Sequence, residues 1–268
     1  SNLPWTSVVG DPIKFVRLEV LPRSKAEHIR APRLAETVIR WSVESGSMRI
    51  AILGGTGDIG EAIALRLAAN TDHELVVGSR KEEKAETSAT EYENTLDERG
   101  RTVTISGEKN SAAAGGAEVV IVAVPAYHLT DTIESVVDHL DESVLVSPAV
   151  GMRRDEDGLH YNPPGAGSVT ALAANTAPES VPVVGAFHNL AAGRLGSLDE
   201  DLDWDVPVVA DDDEAKETIS ALVEEVEGLR PLDAGGISNA SEVEAVTPLL
   251  INVAANNSGM HDLGVKFR

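Results

Sequence analysis

The chain reads as an α/β protein built on a doubly wound, mostly parallel sheet, followed by a smaller C-terminal α/β portion. Three observations carry this reading. From Arg49 onward, apolar runs of strand length alternate with amphipathic segments, the order of a parallel sheet with crossover helices. The first run ends in Gly54-Gly55-Thr56-Gly57-Asp58-Ile59-Gly60, a glycine turn that opens the first helical segment. The chain has 268 residues and no cysteine, so it is long enough to bury a core without disulfides and has no thiolate for a metal or a nucleophile.

The elements follow in order. Strands are expected at Arg49 to Leu53, Glu74 to Val77, Thr102 to Ile105, Glu118 to Val124, Ser143 to Val146, Val181 to Gly185, Pro207 to Val209 and Arg230 to Leu232. Between the first two, Ile59, Ile63 and Leu67 recur every fourth residue and give one helical face to lie on the sheet. Further helices are expected over Lys81 to Glu98, Tyr127 to His139, Ala166 to Asn175, Glu214 to Glu227 and Glu242 to Asn256. In the last of these, Val243, Val246, Leu249, Leu250 and Val253 suit core packing, with the wall of a ligand cleft as the rival reading.

Residues 1–47 contain four prolines and two of the three tryptophans, and they lack the period of the elements that follow. They are expected to stand outside the fold, leaving 48–177 as a dinucleotide-binding domain and 178–268 as a portion that completes the site. The charge is uneven as well. Of the formal −22, residues 48–268 hold 15 basic against 39 acidic side chains, a net of −24. This argues against nucleic acid and anionic membranes as partners. A surface so acidic suits a halophilic protein, because salt screens the mutual repulsion of carboxylates; an acidic interaction face is the rival explanation. No run reaches a membrane-spanning length and the N-terminus lacks a secretory pattern, so the expected location is cytoplasmic.

The glycine turn carries the clearest chemistry. Gly55, Gly57 and Gly60 have the G-x-G-x-x-G spacing of a Rossmann-type dinucleotide site: the first for the tight turn, the second for the approach of a pyrophosphate, the third for close helix packing. The helix N-terminus behind them offers free N–H groups and partial positive charge to the anion. A unit that prefers NAD would place an acidic residue near the end of the second strand, to bond the ribose 2'-hydroxyl. Here that strand ends Gly78-Ser79-Arg80, with Lys84 one helical turn on, which suits the 2'-phosphate of NADP(H). A capping box from Ser79 to Glu82 is compatible with the same role.

These residues, with Trp204-Asp205-Val206-Pro207-Val208 and the stretch Gly228 to Gly235, resemble the NADPH-dependent reductases of the deazaflavin coenzyme F420 over about 48–268. The resemblance implies that Thr56, Gly57, Asp58 and Ile59 line the pyrophosphate and that Ser79, Arg80 and Lys84 hold the 2'-phosphate. It implies nearby contacts from Pro125, Ala126 and Met152. It also places His188 and the loop Asn189, Leu190, Ala191 and Ala192 beside the second cofactor. The loop departs from the family, which commonly shows His-Thr-Ile-Pro-Ala where this chain reads His-Asn-Leu-Ala-Ala. A lone histidine after an apolar strand is by itself more often structural than catalytic.

No protein side chain is expected to be catalytic and no metal is expected, because the cofactors carry hydride chemistry. The activity implied is reversible hydride transfer between NADPH and F420, with small-molecule cofactors as partners and a homo-oligomer left open. Two alternatives stand beside it: an NADP-dependent reductase of a small imine or keto acid, and a non-catalytic NADP(H) sensor.

Overall fold

In β1 (Arg49–Leu53), Ile50 to Leu53 are fully buried, as a central parallel strand covered on both faces requires. The computed structural model describes residues 46–140 and 142–268. The expectation about 1–47 therefore falls almost wholly outside the described residues.

From β1 the chain passes through the glycine turn into α1 (Asp58–Asn70), β2 (Glu74–Ser79), α2 (Glu82–Asp97) and β3 (Ile105–Lys109). A short α3 (Asn110–Ala114) returns it to β4 (Val119–Val122), then α4 (Leu129–Glu134) and β5 (Val144–Ser147). An exposed hairpin of β6 (Met152–Asp155) and β7 (Gly158–Tyr161) precedes α5 (Val169–Thr176) and β8 (Val183–Gly185). The remainder is α6 (Ala192–Gly196), β9 (Trp204–Ala210), α7 (Asp213–Glu224), β10 (Leu229–Asp233) and α8 (Ala240–Asn256).

One eight-stranded sheet results, in the order β10-β9-β8-β5-β4-β1-β2-β3, and only the β8–β9 pairing is antiparallel. Two buried layers cover it. Ile63 and Leu67 of α1, Ala85 and Tyr92 of α2, and Ile219 and Leu222 of α7 pack on one face. Ala113, Leu129, Ile133 and Ala173 pack on the other. The chain grows outward from β1 to β3 and then restarts at β4 on the other side of β1. That reversal opens a crevice at the carboxyl ends of β1 and β4, where doubly wound sheets bind ligands. Among the described residues no helix is long and apolar enough to cross a membrane.

Several boundaries differ from the sequence reading. The third strand begins at Ile105, where it was expected to end, and runs through Ser106, Gly107 and Glu108. Pairing with β2 in the register Leu75↔Ile105 overrides the poor strand propensity of those residues. Gly107 is required there, because a Cβ would lie 2.3 Å from the α2 backbone at Ala85. The long helix expected over Tyr127 to His139 is instead two 3-10 turns on either side of α4. Thr132 and Ser135 turn their hydroxyls back onto the carbonyls of His128 and Thr132, the side-chain competition that breaks helices. The hairpin β6–β7 and the short α3 and α6 carry no periodic signal and were not anticipated.

Candidate functional site: a dinucleotide crevice and an apolar cleft

The tight turn after β1 uses both Gly55, where a Cβ would lie 2.8 Å from the Ile52 carbonyl oxygen, and Gly54. The φ of Gly54 is +77°, and a Cβ there would lie 2.6 Å from Val124 Cγ1 of the loop after β4. Gly60 sits against this turn, with a hypothetical Cβ only 2.5 Å from the Gly54 carbonyl, so α1 can start close to the strand only with glycine here. Gly57 differs. As the N-cap of α1 it is exposed, and a Cβ would meet only the Gly54 oxygen at 3.5 Å. The space it leaves open is on the solvent side, where a ligand approaches. Asp58, Ile59 and Gly60 open the helix, and the first-turn N–H groups have no partner within it. Thr56 and Ile59 are half-buried and Asp58 is exposed. Behind the turn, the buried Tyr92 hydroxyl donates to the Gly55 carbonyl at 2.8 Å, and burial pushes its pKa up to about 12.

At the end of β2, Ser79 is buried and its hydroxyl accepts the Lys81 N–H at 3.3 Å. The capping box from Ser79 to Glu82 is absent. Lys81 is the N-cap of α2 and makes no side-chain cap, because the chain stays extended for two residues beyond Ser79 before turning helical. Arg80 is exposed, and Lys84 Nζ donates to the Thr56 carbonyl at 3.4 Å, so the helix after β2 reaches the glycine turn. Lys109 was missed by the sequence reading. It ends β3 in register with Ser79 and is exposed. Gly107 and Lys109 point to one face of the sheet, the face on which α2 packs, and this sends Lys109 past the α2 N-terminus. Arg80, Lys81, Lys84 and Lys109 form no ion pair among the described residues, whereas Arg49, Arg99, Arg101, Arg230 and Lys266 all do. In a chain of net charge −22, these cations stand out at the ends of β2 and β3, although Glu82 and Glu83 share the first turn of α2 with them.

Pro125 and Ala126 stand at the mouth of the crevice after β4, where Ala123 N–H bonds the Leu53 carbonyl and ties the two loops together. Met152 is exposed and opens the hairpin that rises beyond β5.

The segment after β8 is strained. Phe187 has φ of +66°, which is costly for an aromatic residue and persists only where the neighbours over-determine it. They do so here. Thr247 Oγ1 donates to the His188 carbonyl at 2.7 Å, and Asn189 Nδ2 donates to the Asp205 carbonyl at 2.8 Å. The His188 ring is fully buried, 3.2 Å from Thr170 Oγ1 through Nε2, and Nδ1 has no partner. Burial pushes its pKa down to about 3. Its ring thus lies behind the loop. Asn189 to Gly193, with Ala192 opening α6, are what face the adjacent cleft, a volume of about 550 Å³ closed by Leu250, Ile251, Met260 and Leu263.

Helix α8 is neither simply core nor simply cleft wall. Val243 is buried and Leu250 lines the cleft, while Leu249 is 59% and Val253 36% exposed. Its Glu244 is completely buried and accepts from Val169 N–H, Thr170 N–H, Thr170 Oγ1 and Tyr161 OH at 2.9–3.0 Å. A carboxylate inside an apolar stripe was its only sign in the sequence, since its partners lie about 75 residues away. Another cavity, of about 430 Å³, opens against His73, Glu74 and Thr104. It lies at the amino ends of the strands, away from the glycine turn, and is not part of this site.

Residues 49–151 match the family model described as NADP oxidoreductase, coenzyme F420-dependent. The chain is 38% identical over 209 residues to the F420-dependent NADP reductase of Methanocaldococcus jannaschii, covering 77% of this chain and 92% of that one. It is 35% identical over 214 residues to that of Methanothermobacter thermautotrophicus, covering 78% and 90%. A crystal structure from Arthrobacter sp. FB24, provisionally described as an F420-dependent NADP reductase, superposes with a TM-score of 0.66 at 24% identity, covering 83% of this chain and all of that one. With these identities over most of both chains, joined to the glycine turn and cation corner described above, the protein belongs to the F420-dependent NADP reductase family.

Proposed function

We infer that this protein transfers a hydride reversibly between NADPH and coenzyme F420, with the two cofactors held side by side in the crevice after β1 and β4 and the cleft beside it. Family membership carries the reaction, and the cation corner at the end of β2 and β3 carries the choice of NADP(H). The glycine cradle fits a dinucleotide, because the Cβ positions at Gly54 and Gly60 are closed to side chains while the solvent side of Gly57 is open. In this reading Thr56, Gly57, Asp58 and Ile59 hold the pyrophosphate. Ser79, Arg80 and Lys84 hold the 2'-phosphate, with Lys81 and Lys109 adding to the local potential. Pro125, Ala126 and Met152 flank the nicotinamide end. Asn189 to Ala192, presented by the turn at His188, line the deazaflavin side. Residues 48–177 thus bind NADP(H) and 178–268 complete the second half of the site.

When bound, the cofactors supply the chemistry: a hydride passes between nicotinamide C4 and deazaflavin C5, and one proton is taken up when F420 is reduced. The chain's contribution is to bind, to orient the two rings at reaction distance and to exclude water. The apolar lining of Leu250, Ile251 and Leu263 suits that last task. Mixing the protein with NADPH and oxidised F420 tests the reading through bleaching of the deazaflavin absorbance. NADPH binding without bleaching overturns it in favour of a sensor, and imine reduction without bleaching in favour of the other alternative.

We also propose that two copies associate through α8. Leu249 and Val253, one turn apart on α8, are exposed, and no charged residue occurs from Ala245 to Met260. In so acidic a chain an uncharged face is where a second copy approaches with least repulsion.

A further inference from the structure

A line of buried polar groups joins α8, α5 and the turn after β8, and hydride transfer as described makes no use of it. Glu244 Oε2 accepts from Val169 N–H at 3.0 Å and Tyr161 OH at 2.9 Å. Oε1 accepts from Thr170 N–H at 2.9 Å and Thr170 Oγ1 at 3.0 Å. Each oxygen thus takes a backbone N–H, which can only donate, and the α5 N-terminus favours a negative charge at this point. Glu244 therefore acts as an acceptor, and the single hydroxyl proton of Thr170 is spent on it. The Thr170 oxygen then turns a lone pair toward His188 Nε2, 3.2 Å away. A hydrogen bond forms there only if Nε2 carries the ring proton. Nδ1, which has no partner, is left as the bare nitrogen. Full burial keeps the ring from taking a second proton.

We propose that Glu244 is a positioning residue for hydride transfer: acting through Thr170, it holds His188 in the Nε2–H tautomer and so locks the strained turn that carries Asn189 to Ala192 into the cleft. This rests on the reading that the turn lines the deazaflavin side. The opposite tautomer buries an Nδ1–H with no acceptor, and the turn loses one of the ties that hold Phe187 at φ +66°.

Nitrogen-resolved NMR of the imidazole in the full-length protein reads the tautomer directly, without either cofactor. The wild type is expected to show a protonated Nε2 and a bare Nδ1. Thr170→Val removes the relay at nearly constant shape and is expected to mix the tautomers, whereas Thr170→Ser restores the wild-type signal. Glu244→Gln is expected to reduce the Nε2–H population. In both Thr170→Val and Glu244→Gln the KM for F420 rises by roughly threefold to tenfold, the loss of about one hydrogen bond, while NADPH affinity is unchanged. A packing role alone moves melting temperature without moving the tautomer. A wild-type ring protonated on Nδ1, or a tautomer unmoved by Glu244→Gln in a folded protein, overturns the proposal. A switched tautomer with an unchanged F420 KM overturns it differently, by removing the premise that this turn faces the deazaflavin.

Discussion

Tyr92 of α2 donates a hydrogen bond to the carbonyl of Gly55, 2.8 Å away, so the helix that follows β2 also pins the glycine turn from behind. Tyr92→Phe removes that bond without changing the packing. It is expected to weaken NADPH and NADH alike, by about fivefold for a bond worth about 1 kcal/mol, and to leave their ratio unchanged. Titration of both cofactors checks this, and a selective loss of NADPH contradicts it.

The cation corner is expected to set that ratio. Arg80→Ala and Lys84→Ala are each expected to weaken NADPH by roughly tenfold, for a charge-assisted contact of about 1.5 kcal/mol, while NADH changes little. Lys109→Met shifts the ratio the same way but less, since it acts through the field from a neighbouring strand. The readout is the NADPH-to-NADH affinity ratio at fixed salt, with 2',5'-ADP against ADP isolating the phosphate. Equal losses for both dinucleotides at Arg80 sink the 2'-phosphate assignment.

Two glycines of one motif are expected to fail in different ways. Gly57→Val places its side chain in the open space before the turn, so the protein melts normally but loses both dinucleotides. Gly60→Val drives a Cβ to within 2.5 Å of the Gly54 carbonyl and is expected to destabilise the fold itself. Thermal melts with cofactor titrations separate the two.

Acid is expected to destabilise the protein well above the usual carboxylate range. The His188 pKa falls from 6.5 to about 3 on folding, so between these values the unfolded chain binds a proton that the native state does not. Stability is therefore full above 6.5 and declines as pH drops through this window, by up to about 1.4 kcal/mol per pH unit. Asp205 adds a lower step. The hydrogen bond from Arg230 is the largest cause of its fall from 3.8 to about 2, and that contribution is lost as pH falls between those values. Melting temperatures of the wild type and His188→Gln from pH 7 to pH 4 test the upper step, which the variant should lack.

Leu249→Lys puts a charge in the middle of the uncharged α8 face without touching the core. Sedimentation of the wild type as a dimer and of this variant as a monomer is the expected result. A monomeric wild type removes the proposal of self-association.

Local chemistry was enough to read the succession of the eight strands of the main sheet, the glycine turn and the basic end of β2, because each depends on spacing within a few residues. Composition added the acidity that makes the cation corner stand out. Four things needed the tertiary structure. The positive φ falls on Gly54, where Val124 of the loop after β4 approaches too closely for a side chain. Strand β3 runs through a weak sequence because β2 supplies its hydrogen bonds. Lys109 joins Arg80 and Lys84 only through the β2–β3 register. Glu244, Thr170 and His188 meet only when α8 packs on α5, for a buried carboxylate is tolerated where donors from distant segments converge on it, and sequence spacing holds no record of that convergence.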